Sequence, residues 1–162
     1  MENQDVRIIT LPPMRMASFY AFSSSPETEA WEKLVVWAKA HSYLQEAPAR
    51  RIFGFNNPDP SEASPSYGYE LWLTIDPEAP QDDEITFKDF SGGLYAALLC
   101  EVKGDPGEII PATWGKLVKW LESSQYKIGT HQWLEEHLTR FVSVDQGFVL
   151  DLYLPISASS TD

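Results

Sequence analysis

The chain has 162 residues, 43% of them hydrophobic and 22% charged, a mix that suits one soluble globular domain with a well-buried core and excludes a disordered chain. Its formal net charge of −12 argues against a nucleic-acid partner, which is held by clustered Lys and Arg, and favours cations. No apolar run approaches the roughly 18 residues of a membrane span, and the N-terminus lacks a basic stretch followed by an apolar one, so the expected location is the cytoplasm, with no membrane contact.

Val6 to Leu11 is β-branched and loosely alternating, and Pro12-Pro13 ends it by removing backbone donors. Met14 to Phe22 predicts a second strand with Met14, Met16, Ser18, Tyr20 and Phe22 on one face. Ser23-Ser24-Ser25-Pro26 signals a helix start, and Glu27 and Glu29 follow in the first turn, where the helix dipole favours negative charge. The helix is predicted from about Pro26 to Ser42, with either Leu34, Trp37 and Ala38 or Trp31, Leu34 and Trp37 as its apolar stripe. Arg50 to Phe55 reads as a short strand and Asn56 to Ser66 as a Pro- and Ser-rich loop. Tyr67 to Ile75 is a clean strand, with Tyr69, Leu71, Leu73 and Ile75 on one face and Glu70 and Trp72 on the other.

Asp76 to Glu84 is acidic, carries two prolines and has no periodicity, so it reads as the join between two halves, about 1–80 and 81–156, of a single domain. Ile85 to Phe90 is strand-like, Ser91-Gly92-Gly93 reads as a hairpin turn, and Leu94 to Val102 is a strong strand. The single thiol, Cys100, cannot make an internal disulfide and in this apolar run reads as buried and inert. Glu108 to Ser124 predicts the second helix, beginning near Pro111. Thr130 to Leu138 is compatible with a helical turn or a strand. Gly147 to Ile156 is the last strand, with Leu150, Leu152, Leu154 and Ile156 opposite Asp151 and Tyr153, and 157–162 is expected to be a disordered tail.

The two helices are copies. A shift of 83 positions lays Trp31, Lys33, Leu34, Val35, Trp37 and Tyr43 over Trp114, Lys116, Leu117, Val118, Trp120 and Tyr126. A shift of 81 lays Glu70 and Trp72 over Asp151 and Tyr153. The predicted class is therefore α+β: two strand-helix-strand-strand units in a largely antiparallel sheet, with the helices on its outer face. If each leucine face packs on its own helix, a carboxylate and a large aromatic recur on the opposite face, where exposure of the ring would be unfavourable. This predicts a groove between the halves, lined by Glu70, Trp72, Asp151, Tyr153 and one of Glu135 and Glu136. Carboxylates against rings suit a flat organic cation, and a carboxyl beside an apolar wall also suits a general acid.

The turn Phe90-Ser91-Gly92-Gly93-Leu94-Tyr95-Ala96, the helix end Lys119 to Ser124, Trp133-Leu134-Glu135-Glu136-His137 and the terminal Leu150 to Ile156, together with strands flanking Pro12-Pro13, resemble the GyrI-like, effector-binding domain family over nearly the whole chain. The resemblance implies paired strand-helix-strand-strand units with ligand in the groove between them, no cofactor, and a pocket acid in a Glu-x-Tyr pattern. That pattern maps onto Glu135-Glu136-His137, with histidine in place of tyrosine, so Glu135 is the expected acid and Glu136 the alternative. Tyr95 and Trp133 join the expected walls. Stand-alone relatives of this kind bind drugs, inhibit DNA gyrase, or are similar to hydrolases that open strained cyclopropane rings of genotoxic compounds.

The leading expectation is a binder of planar, apolar or cationic aromatic compounds in xenobiotic sensing or protection. Alternatives are a hydrolase of strained electrophiles using Glu135 and Glu70, and an interaction module for a basic partner such as gyrase. His41, His131 and His137 lack the paired spacing of a metal site. The chain has no Gly-x-Ser-x-Gly elbow, and Ser91-Gly92-Gly93 has no helix or lysine to make it a phosphate cradle.

Overall fold

The computed structural model describes residues 5–41, 43, 50–57, 61, 63–80, 82–138 and 147–158. In chain order its elements are β1 (Arg7–Leu11), β2 (Met14–Ser23), α1 (Pro26–Ala40), β3 (Ile52–Asn56), β4 (Tyr67–Thr74), β5 (Thr86–Phe90), β6 (Gly93–Val102), α2 (Pro106–Glu122), β7 (Lys127–Ile128), β8 (Leu134–His137) and β9 (Phe148–Ser157). They form two compact units, a contiguous one from Pro13 to Ser91 and a composite one made of Met1–Pro12 with Gly92–Asp162. The fold is α+β, and every pairing described below is antiparallel.

In the contiguous unit the strand order is β5-β2-β4-β3. Leu71 and Leu73 of β4, Phe19 of β2 and Ile52 of β3 pack with Leu34, Trp37 and Ala38 of α1 in one core. Period-2 alternation along the strands and the spacing of 34, 37 and 38 along the helix place these side chains on facing surfaces. Burying a Leu or Phe in this way contributes about 1.5–3 kcal/mol. The helix starts at Pro26 as the sequence predicts, but Ser25 makes no side-chain cap; the Oγ of Ser23 instead accepts from the Ser25 N–H. α1 ends at Ala40, and Ser42 lies outside the described residues.

In the composite unit the order is β1-β6-β9-β8, with β7 pairing β9. Leu150, Leu152, Leu154 and Ile156 of β9 pack with Leu117 of α2, and Trp114 and Trp120 flank them. α2 begins at Pro106 rather than near Pro111, because Asp105 caps it by accepting from the Gly107 N–H at 2.9 Å and Pro106 occupies the first turn, where no donor is missed. Within Thr130 to Leu138 the structure forms a strand rather than a helical turn, β8 at Leu134–His137. Cys100 is buried beside Thr113, and burial pushes its thiol up, in keeping with an inert role.

The duplication is visible in register. β2 and β6 are each ten residues long, starting at 14 and 93, and Met14 opposes Phe90 just as Gly93 opposes Leu11. The repeated Trp–Tyr pairs form equivalent ring stacks at the ends of the helices, Trp37 on Tyr43 at 5.3 Å and Trp120 on Tyr126 at 6.1 Å.

Each unit also takes its outer strand from the segment that precedes the other. β1 adjoins β2 in sequence but pairs with β6, and β5 adjoins β6 but pairs with β2. Ser91-Gly92-Gly93 is thus not a hairpin turn; it carries the chain from one unit to the next. Gly92 has φ 81°, which a side chain disfavours, and a Cβ on Gly93 would stand 2.6 Å from the His131 ring. The acidic stretch 76–84 is not a join but part of the contiguous unit, where the Asp82 carboxylate accepts from Trp37 Nε1 at 3.0 Å.

Candidate functional site

The residues opposite each leucine face form an acid–aromatic cluster within each unit. In the contiguous unit Glu70, on β4, is buried, and its Oε2 accepts from Ser18 Oγ at 2.6 Å, Trp72 Nε1 at 2.8 Å and Lys88 Nζ at 2.6 Å. These groups meet because Ser18 opposes Trp72 across the β2–β4 ladder, while Lys88 projects from the neighbouring strand β5. Burial alone would raise the Glu70 carboxyl, but the hydrogen bonds from Lys88, Ser18 and Trp72 and the lysine charge outweigh it and hold the group below the usual carboxylate range. Phe55 meets the Trp72 ring edge-on at 4.9 Å, and Phe90 lies 5.8 Å from it.

In the composite unit Glu136 on β8 directly opposes Asp151 on β9, so the two carboxylates share a face. Both are buried. The Tyr153 hydroxyl lies 2.8 Å from Glu136 Oε1 and 3.3 Å from Asp151 Oδ2; with one proton it donates to one carboxylate at a time. Arg7 of β1 forms an ion pair with Asp151. Tyr95 is fully buried, meets the Tyr153 ring edge-on at 5.6 Å and donates its hydroxyl proton to the Gln132 carbonyl; burial drives its pKa upward.

Glu135 lies elsewhere. It opposes Leu152, whose side chain belongs to the α2 core, and its Oε2 accepts from Trp114 Nε1 of that helix at 3.4 Å. Trp133 follows it to the same side, 5.2 Å from Trp114. Six of the eight residues singled out from the sequence therefore fall into the two clusters, Glu70 and Trp72 in one and Tyr95, Glu136, Asp151 and Tyr153 in the other, whereas Glu135 and Trp133 face α2.

Sequence reasoning missed Ser18, Lys88 and Arg7, whose alignment with the acids depends on strand pairings that no local pattern reveals. His131 packs edge-on against Tyr95 at 4.7 Å, with Nε2 against the Leu94 carbonyl. Among the described residues no group of three His, Cys, Asp or Glu side chains is placed to hold a metal ion, and no helix is long and apolar enough to cross a membrane.

The α+β fold, with its two strand-helix-strand-strand units, places the chain among effector-binding domains. Residues 7–156 match the family of integron-associated effector-binding proteins, and the chain belongs to that family, whose members take small-molecule effectors. The fold is similar to the C-terminal domain of EcmrR, with TM-score 0.68 at 10% identity, covering 95% of this chain and 98% of that one. It is similar to a hydrolase from Listeria innocua, with TM-score 0.66 at 12% identity over 97% and 94% of the chains. It is also similar to SAV2435, whose structure contains bound tetraphenylphosphonium, with TM-score 0.55 at 7% identity and 94% coverage of each chain. No curated protein sequence matches the chain.

Proposed function

We propose that this protein binds planar, apolar aromatic cations, with a role in sensing or protection against foreign compounds, and that Glu136 is its principal acid. One observation carries the reading: each unit buries a carboxylate two residues before an aromatic, on the sheet face opposite its helix, Glu70 before Trp72 and Asp151 before Tyr153. A flat cation offers such a carboxylate a counter-charge in competition with the Lys88 or Arg7 already paired to it, and a face for the rings, each ring contact adding about 0.5–2 kcal/mol. Tetraphenylphosphonium in the structural relative SAV2435 is an apolar aromatic cation, tetrahedral rather than planar, which supports the aromatic and cationic character of the ligand. The test is tryptophan quenching on titration with N-methylacridinium, with neutral acridine as the control. Saturable quenching by the cation that weakens in Glu136→Gln is expected; no response to a panel of planar cations contradicts the reading and favours a surface for a protein partner.

A second reading is that the same acids open strained rings. Tyr153 between Glu136 and Asp151 offers a proton source beside a carboxylate. Water activated by a carboxylate would attack a cyclopropane carbon, the ring C–C electrons would move into a conjugated carbonyl, and an acid would protonate its oxygen. Mass spectrometry of a cyclopropane-bearing alkylator after incubation with the protein tests this through formation of a water adduct. An adduct that forms at an undiminished rate with Glu136→Gln removes Glu136 from the chemistry.

A further inference from the structure

The contiguous unit holds a cavity of about 290 Å³ lined by Ser18, Tyr20, Asn57, Glu70, Thr86 and Lys88. Five of these six side chains are neutral polar or charged, and the sixth carries a hydroxyl. All three strong donors to Glu70 converge on Oε2, while among the described residues Oε1 is approached only by Asn57 Nδ2 at 3.5 Å, the outer limit of a hydrogen bond. The acid cannot move to water, because its side chain is only 4% exposed. The cation that neutralises it can, because Lys88 is 44% exposed on an outer strand and has a flexible four-carbon stem. Arg7, 45% exposed on the outer strand of the composite unit, stands against the buried Asp151 in the same way.

We propose that Lys88 is a resident substitute for the ammonium group of a ligand: a protonated primary or secondary amine enters this cavity, displaces Lys88 from Glu70 and donates its N–H groups to the carboxylate and the surrounding oxygens. This rests on the reading of the acid–aromatic faces as ligand-binding, and it names the group by which ligands are held at one of them. The chemistry selects amines over quaternary cations of equal charge, since a quaternary nitrogen has no hydrogen to donate to Oε1 or to the hydroxyls of Ser18 and Thr86. The lysine head already in place shows that an alkylammonium fits.

Lys88→Ala removes three carbons and the amine, the equivalent of propylammonium. In the full chain this variant is expected to melt below wild type and to recover at least half of the loss in millimolar propylammonium chloride. Tetramethylammonium or sodium chloride at the same concentration should restore nothing, and Lys88→Ala/Glu70→Gln should gain nothing from propylammonium. Equal recovery with tetramethylammonium, or none with propylammonium, overturns the proposal. If that variant does not fold, Lys88→Met keeps the stem without the charge. It should then bind (pyren-1-ylmethyl)ammonium about tenfold more tightly than wild type and leave its N,N,N-trimethyl analogue much less improved; an unchanged or lower affinity for the primary amine overturns it. The two readings fail separately: tight binding of both pyrene cations without amine selectivity removes the amine subsite alone. Propylammonium rescue with no binding of either pyrene compound removes the aromatic-cation reading alone.

Discussion

Neighbouring residues of β8 have opposite surroundings, and their mutation should separate cleanly. Glu136 shares a face with Asp151 and Tyr153, whereas Glu135 reaches Trp114 on α2. Glu136→Gln is expected to weaken a planar cation by about 10- to 100-fold, the value of a buried charge-assisted contact, while Glu135→Gln changes it less than threefold, as isothermal titration would show. His137, the next residue, has its pKa lowered to about 4 by burial, against which the nearby charge of Glu136 works. A histidine held neutral in the fold stabilises it fully above the ordinary value of about 6.5, and that contribution is lost as pH falls from there toward 4. Complete burial would make the displacement worth about 3 kcal/mol; partial access to water lowers this to on the order of 1–2 kcal/mol. Urea denaturation of wild type and His137→Gln across pH 7 to 4 should show the wild type losing that increment and the variant losing less. Glu70 adds a separate acid-labile contribution: its lowered pKa stabilises the fold above the unfolded carboxyl value near 4.5 and is lost below it as the group protonates.

The elements themselves show which features are legible in a sequence. β4 and β9 were readable because Tyr69-Leu71-Leu73 and Leu150-Leu152-Leu154 alternate strictly, and the helices because their Trp, Leu and Tyr spacing recurs. β8 was not, since four residues rich in helix formers give no period, and a register difference of one residue decides whether Glu135 or Glu136 joins Asp151. The exchange of outer strands was equally hidden, because β1 and β5 are specified by partners far along the chain. Close packing between elements yields two stability predictions. A Cβ on Gly68 would lie 1.8 Å from the Asn57 carbonyl oxygen and 2.4 Å from the Tyr20 hydroxyl, so Gly68→Ala must move backbone and should cost about 2 kcal/mol or more. Leu117→Ala opens the α2 core beneath fully buried Leu152 and Leu154 and should cost about 2–5 kcal/mol. Both are read from shifts in denaturant midpoint at constant slope.

For the molecule as a whole, the order of strands along the chain dictates where it can be divided. A fragment ending at residue 80 lacks β5 and leaves β2 with an open edge, whereas 13–91 retains all four strands of its unit, β2 to β5. Circular dichroism melts should therefore show a more cooperative transition for 13–91 than for 1–80. The duplicated plan has set the same device twice, an acid on β4 or β9, an aromatic two residues on and a cation from the outer strand, with chemistry that has diverged into Glu70, Trp72 and Lys88 in one unit and Asp151, Tyr153 and Arg7 in the other. Effector binding is the family's property, and the charge of the effector is where the present account commits itself. Titration of the wild-type protein with N-methylacridinium and with neutral acridine at pH 8, followed by tryptophan fluorescence and calorimetry, tests it most directly. Saturable binding of the cation at least tenfold tighter than its neutral counterpart, with the preference lost in Glu136→Gln, is the predicted result; equal binding of the two, or a preference untouched by that substitution, would contradict it.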